Sequence, residues 1–129
     1  MKIDIDYIKL ILDEFIYGNE NYIENDRFES MIYDDFEKFS FHWDLLCDQS
    51  LLVASNNTTV RFIDYGNKNV TYGILIRLHN NGHTFYSALN DENFINKFKK
   101  STTHFSMSIL MKSASEYLEN NVSSFINSL

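Results

Sequence analysis

Apolar residues recur at helical spacing over the first part of the chain, β-branched and aromatic residues alternate over the next, and helical spacing then returns. These three observations predict an α+β fold in which three helices precede a small antiparallel β wing and additional C-terminal helices follow, the layout of a winged helix-turn-helix. The expected division is a helix-turn-helix-like part over 1–50, the β wing over 51–78 and the C-terminal helices over 79–129. With 129 residues, the chain 1–129 is read as a single domain with length enough for one core.

The first helix is read from Ile5, Ile8, Leu12, Phe15 and Ile16, which follow Asp4, a residue type that caps helices by accepting a backbone N–H; Gly18 ends it. A second helix is expected to open at Asp26, with Glu29 three residues on as a carboxylate version of the capping box, and to turn Phe28, Met31 and Ile32 to one side. The third is expected over about 34–49, with Phe36, Phe39, Trp43 and Leu46 on its core face. Residues 51–54, 60–65 and 70–78 have strand character and are separated by Asn56-Asn57 and Gly66-Asn67, residues that tolerate the positive φ of tight turns. Helix resumes behind a cap at Asn80 or Asn81 and runs through Phe85, Ala88 and Leu89. It breaks at Asn90-Asp91 and continues with Phe94, Ile95 and Phe98; a last helix over about 104–125 carries Ile109, Leu110, Leu118 and Val122.

Charge then narrows the function. The chain has 11 basic and 18 acidic residues, a net charge of -7. Residues 1–65 carry fourteen acids and five bases, a net -9, whereas 66–129 carry four acids and six bases, a net +2. Absent prolines and abundant Asn, Ile, Phe and Tyr fit an AT-rich coding sequence, which would favour Lys, so the acidity runs against that drift. Such a balance disfavours nucleic acid and anionic membranes and suits a basic protein surface. The third helix, which would read DNA in this layout, carries Asp34, Asp35, Glu37, Asp44 and Asp48 against Lys38. DNA affinity depends on Lys and Arg neutralising phosphates, and this helix is charged the other way.

No catalytic constellation is readable, and a non-enzymatic protein without cofactor or metal is expected. Cys47 stands alone, which excludes an intramolecular disulfide and a zinc site built on several cysteines, and it is read as a small buried hydrophobe. His79 and His83 have a zinc-compatible spacing but no third ligand, and the side-by-side Asp34 and Asp35 are read as partners of a helix N-terminus rather than a magnesium site. The glycines are scattered, without a phosphate cradle. No run of about eighteen apolar residues is present to span a bilayer, and the opening Met1-Lys2-Ile3-Asp4 lacks the layout of a secretory signal, so a soluble cytoplasmic protein is expected.

Three segments carry a resemblance to a family. The opening Met1-Lys2-Ile3-Asp4-Ile5-Asp6-Tyr7-Ile8-Lys9-Leu10-Ile11-Leu12 has paired acids ahead of an Ile-basic-x-Ile-Leu helix. The segment His42-Trp43-Asp44-Leu45-Leu46 with Leu51-Leu52 follows a His-Leu-x-Leu-Leu helix and strand. The third, Leu78-His79-Asn80-Asn81-Gly82-His83-Thr84-Phe85 with Asn96-Lys97, follows a Leu-Thr-x-x-Gly-His-x-Phe pattern. In this order the segments resemble domain of unknown function 2513, a bacterial and prophage family. The resemblance implies a winged-helix architecture, a bacterial or phage-infected host cell, and a packing or hydrogen-bonding role for His83 under the wing; it implies no catalytic residues. Ser50 stands where the family has Gly, His79 where it has Thr and Ile95 where it has Trp.

Two binding readings remain open. In one, a protein-binding module of phage or mobile-element type docks an acidic face, made of Glu20, Glu24, Asp26, Glu29, Asp34, Asp35, Glu37, Asp44 and Asp48, on a protein with a basic surface. Its carboxylates stand in for phosphates, as a DNA mimic, and the module inhibits a nucleic-acid-binding host machine in the manner of an anti-CRISPR. In the other, a transcriptional regulator places the helix over 34–49 in the major groove, with Lys38, His42 and Gln49 on the helix and Arg61, Lys68 and Arg77 on the wing as contacts. Apolar residues on more than one face of the last helix, Met107, Ile109, Leu110 and Met111, lead to an expected homodimer through that helix.

Overall fold

The computed structural model describes residues 1–128 and is α+β: six helices, a three-stranded antiparallel sheet and a two-stranded hairpin. Leu129, the end of the third expected segment, lies outside the described residues. Helix α1 spans Ile5–Ile16, with the Asp4 carboxylate accepting the Tyr7 N–H at 3.1 Å, and buries Ile5, Ile8, Ile11, Leu12 and Phe15. A two-residue strand, β1 (Ile23–Glu24), follows, and then a 3-10 turn over Asn25–Phe28. Helix α2 (Glu29–Asp34) therefore begins three residues later than its expected start, and no side chain caps it, so the capping box does not form. Asp35 alone separates α2 from α3 (Phe36–Asp48), and its carboxylate caps α3 by accepting the Lys38 N–H at 3.0 Å.

Beyond α3 the chain turns through Ser50 at φ 55, the position where the resembled family has Gly, and enters β2 (Leu52–Ala54). The hairpin β3 (Ile63–Asp64) and β4 (Asn69–Val70) pairs Ile63 with Val70, its turn held by the Asp64 carboxylate accepting the Gly66 N–H and by Lys68 at φ 54. The stretch 70–78 is not one strand: Gly73 takes φ 85, a left-handed conformation that favours glycine, and divides β4 from β5 (Leu75–Leu78). Strand β5 lies centrally in the order β1-β5-β2, with Ile23 opposite Ile76 and Val53 opposite Arg77. Buried Asn25 ties the helical part to this sheet: its Nδ2 donates to the Thr71 carbonyl at 2.8 Å and its Oδ1 accepts the Ile74 N–H at 3.0 Å.

Helices α4 (Asn80–Leu89), α5 (Glu92–Ser101) and α6 (Met107–Ser128) complete the chain. The cap of α4 is His79, whose Nδ1 accepts the Asn81 N–H, rather than Asn80 or Asn81. Gly82 packs the start of α4 against β5, where only a hydrogen fits: a Cβ there would lie 2.7 Å from the Leu51 carbonyl oxygen. One apolar core draws on all three expected segments, from Ile8 through Ile76 to Leu110, and at its centre Trp43 meets Phe28 at 5.1 Å, Phe39 at 5.5 Å and Phe62 at 5.1 Å. The Trp43 Nε1–H donates to the Val60 carbonyl at 2.7 Å, so the buried indole leaves no polar atom unpaired. Among the described residues no helix is long and apolar enough to cross a membrane.

Candidate functional site

Helix α3 turns Phe39, Trp43 and Leu46 into the core, as its spacing predicts, and this leaves Glu37, Ser40, Asp44 and Asp48 along a second stripe. The β3–β4 hairpin and its approach lie over that stripe. The Tyr65 hydroxyl meets the Asp44 carboxylate and donates to the Ser40 carbonyl at 3.1 Å, and the Phe36 and Tyr65 rings meet edge-on at 6.4 Å. The Arg61 guanidinium sits 2.7 Å from Asp48 and 3.4 Å from Asp44, while the Lys68 ammonium is 3.8 Å from Glu37 and 5.9 Å from the centre of the Phe36 ring. Burial raises the Tyr65 phenol's pKa, and the adjoining Asp44 carboxylate raises it further.

These contacts split the nine acids read as one docking face. Asp44 and Asp48 face Arg61, Glu37 faces Lys68, Glu20 pairs with Arg27 at 2.7 Å, and Asp35 is committed as the cap of α3. The other four, Glu24, Asp26, Glu29 and Asp34, are exposed and have no ion pair or side-chain hydrogen bond among the described residues. They fall within one continuous segment, from β1 through the 3-10 turn to the end of α2. The acids without any partner therefore lie beside α3, on the β1–α2 edge, whereas along α3 two cations, Arg61 and Lys68, face three carboxylates.

The residues named for DNA contact are placed differently from that expectation. His42 is fully buried, its Nε2 accepting the Asp4 N–H at 2.9 Å and its Nδ1 2.7 Å from the Lys38 carbonyl, so it has no edge to offer a base. Lys38 lies 3.2 Å from Asp4 and 4.6 Å from the centre of the Tyr7 ring. Arg77 donates to the Leu78 carbonyl and stacks 5.8 Å from the centre of Tyr22. With Arg61 and Lys68 facing α3 carboxylates, every cation named on the helix and wing has an intramolecular partner. Gln49 is the half-buried C-cap of α3.

Other sequence-level candidates also find their places. Cys47 is half-buried, with its Sγ 3.9 Å from the Val60 carbonyl, and burial pushes its thiol pKa up to about 12. His83 is exposed rather than packed under the wing. Helix α6 begins at Met107 instead of near 104; it buries Met107, Leu110 and Ala114 and exposes Ile109, Val122 and Ile126. Among the described residues no group of three His, Cys, Asp or Glu side chains is placed to hold a metal ion.

One concavity adjoins the uncompensated acids. It is a groove of about 420 Å³ between α2 and the β3–β4 hairpin, lined by Glu29, Ile32, Tyr33, Phe36, Lys68, Asn69, Val70 and Tyr72. Tyr33 is 84% exposed and Tyr72 38%. No feature of the sequence marked this groove, because its walls come from segments far apart in the chain.

No protein-family model matches the chain, and no curated protein or solved structure matches it. The likeness to domain of unknown function 2513 rests on the three quoted segments alone.

Proposed function

We propose that the chain is a non-enzymatic winged-helix module that docks its acidic β1–α2 edge on a basic protein surface. The observation that carries this reading is the charge distribution: among the described residues Glu24, Asp26, Glu29 and Asp34 lack counter-ions, while Arg61 and Lys68 are turned onto α3. The connectivity α1-β1-α2-α3-β2-hairpin-β5 with sheet order β1-β5-β2 supports the winged-helix description, with α3 in the position of the reading helix. A reader of DNA keeps its wing cations for phosphates; here Arg61 and Lys68 face carboxylates of α3, and Arg77 is turned to the Leu78 carbonyl and the Tyr22 ring. Carboxylates on the neighbouring edge compete for a groove that would otherwise hold a phosphate backbone, so the activity this surface serves is inhibition of a nucleic-acid-binding protein.

The test is a variant with Asp26, Glu29 and Asp34 changed to Lys, which leaves the Asp35 cap intact. A partner isolated with the native chain should be lost by this variant and should release the native chain when duplex DNA is added in excess. Tight, salt-sensitive binding of the native chain itself to duplex DNA in a mobility assay would overturn the reading.

The same proposal includes a homodimer through α6, supported by the exposure of Ile109, Val122 and Ile126 on that helix. Light scattering should give twice the chain mass, and Val122→Asp with Ile126→Asp should return it to the monomer value.

A further inference from the structure

The groove between α2 and the β3–β4 hairpin has chemistry of its own. Two places in this chain set a lysine ammonium against an aromatic ring with a carboxylate beside it: Lys38 on Tyr7 with Asp4, and Lys68 on Phe36 with Glu37. The groove repeats the aromatic and carboxylate parts, in Tyr33, Tyr72 and Glu29, but among the described residues no cation sits on either tyrosine. Glu29 and Asp26 lie near enough to Tyr72 to raise its phenol's pKa, behind the larger effect of burial, and the Glu24 carboxylate lies beside Gly73, the residue after Tyr72. An open apolar floor of Ile32, Phe36 and Val70 is thus bordered on the α2 side by Glu29, which has no counter-ion among the described residues, and on the hairpin side by Lys68, which is turned to Glu37 and the Phe36 ring.

The geometry points to this groove as the receptor for an arginine-bearing extended segment of the partner protein, with a guanidinium stacked on Tyr33 and Tyr72 and hydrogen-bonded to Glu29. Arginine fits better than lysine because its planar guanidinium stacks on aromatic faces and presents paired donors to a carboxylate. Duplex DNA is excluded by the same acids. The inference rests on the proposed docking of the acidic edge and specifies where on that edge the partner is gripped.

Fluorescence anisotropy with a labelled 12-residue peptide carrying Arg at alternate positions tests it, with Lys and citrulline versions of the same peptide as controls. The native chain should bind the Arg peptide roughly two- to fivefold more tightly than the Lys peptide, the range of a cation–π contact at an exposed site. Tyr33→Ala, at an exposed site, should abolish that preference; Tyr33→Phe should keep it; Glu29→Gln should weaken binding of the Arg peptide. Equal affinity for Arg and Lys peptides, unchanged by Tyr33→Ala but lost when Asp26 and Asp34 are changed to Lys, would overturn the groove and leave the acidic edge standing. Arg and citrulline peptides bound alike would overturn both, as would tighter binding of a labelled DNA duplex.

Discussion

Acidification should weaken this fold through His42. The imidazole is buried between the start of α1 and the first turns of α3, accepting the Asp4 N–H on Nε2 and facing the Lys38 carbonyl with Nδ1. Those partners require a neutral ring with its proton on Nδ1, because a protonated Nε2 would set one donor against another. Burial lowers the imidazole pKa below 6.5 and outweighs the opposing pull of the Lys38 carbonyl and the Asp4 carboxylate. In the unfolded chain the ring takes up its proton near pH 6.5. Below that pH, and above the depressed native value, the unfolded state binds the extra proton, so stability falls as pH falls. Linkage sets the ceiling. If the native ring stays neutral throughout, going from about pH 7.5 to about pH 5.5 costs about 1.4 kcal/mol, a tenfold change in the unfolding constant. Urea denaturation at the two pH values, on the native chain and on His42→Gln, measures this effect. His79, His83 and His104 are common to both proteins, so the difference in pH dependence isolates His42. The native chain should lose about 1 kcal/mol more than the variant over this interval. Equal pH dependence in the two, or a native chain that gains stability on acidification, would refute the reasoning.

Gly82→Ala should destabilise the protein even though Ala is the better helix former by about 1 kcal/mol. The added Cβ would sit 2.7 Å from the Leu51 carbonyl, which is fixed by the His79 N–H at 2.8 Å, and overpacking of this kind costs roughly 1–3 kcal/mol, so a net loss in the urea midpoint is expected. Asp35→Ala removes the only side-chain cap of α3 and should cost about 1 kcal/mol in the same assay, with Asp35→Asn or Asp35→Ser recovering most of it. Cys47 should react with a thiol reagent at about pH 8 far more slowly in the native chain than in the urea-unfolded chain, since burial pushes its pKa up to about 12; equal labelling rates in the two would contradict this.

Where the core is amphipathic and continuous, the sequence was legible. Of the stripe Phe36, Phe39, Trp43 and Leu46, the last three are buried and Phe36 is half-buried at the groove, and the Asp4 cap is placed as its residue type predicts, because helix period and cap chemistry are local. Short elements were not legible. Strand β1 is two residues long and has no alternation to read, yet it pairs with β5 and sets the start of α2. Gly73 interrupts 70–78 through its backbone conformation, and burial of His42 depends on α1 crossing α3, a tertiary contact across 38 positions. The acidic residues were legible as composition, but their pairing was not. Glu37, Asp44 and Asp48 recur on one face of α3, but only the fold shows that Arg61, Tyr65 and Lys68 lie against them.

That arrangement bears directly on what α3 can do. Each exposed ion pair between the hairpin and α3 contributes at most about 1 kcal/mol, and the long Lys68–Glu37 pair contributes less. The Tyr65 hydroxyl adds a tie of another kind, shared between the Ser40 carbonyl and Asp44, with the ring packed edge-on against Phe36. Acting together, these contacts hold the hairpin along the helix stripe that a groove-reading helix would leave open. To free Arg61 for a phosphate would expose Asp44 and Asp48 beside that phosphate, one cation released against two anions. Releasing Arg61 from this face would leave Asp44 and Asp48 without their shared cation. The carboxylates on 24–34 carry no such internal obligation, so attraction of a basic partner to that edge requires no contact within the molecule to break.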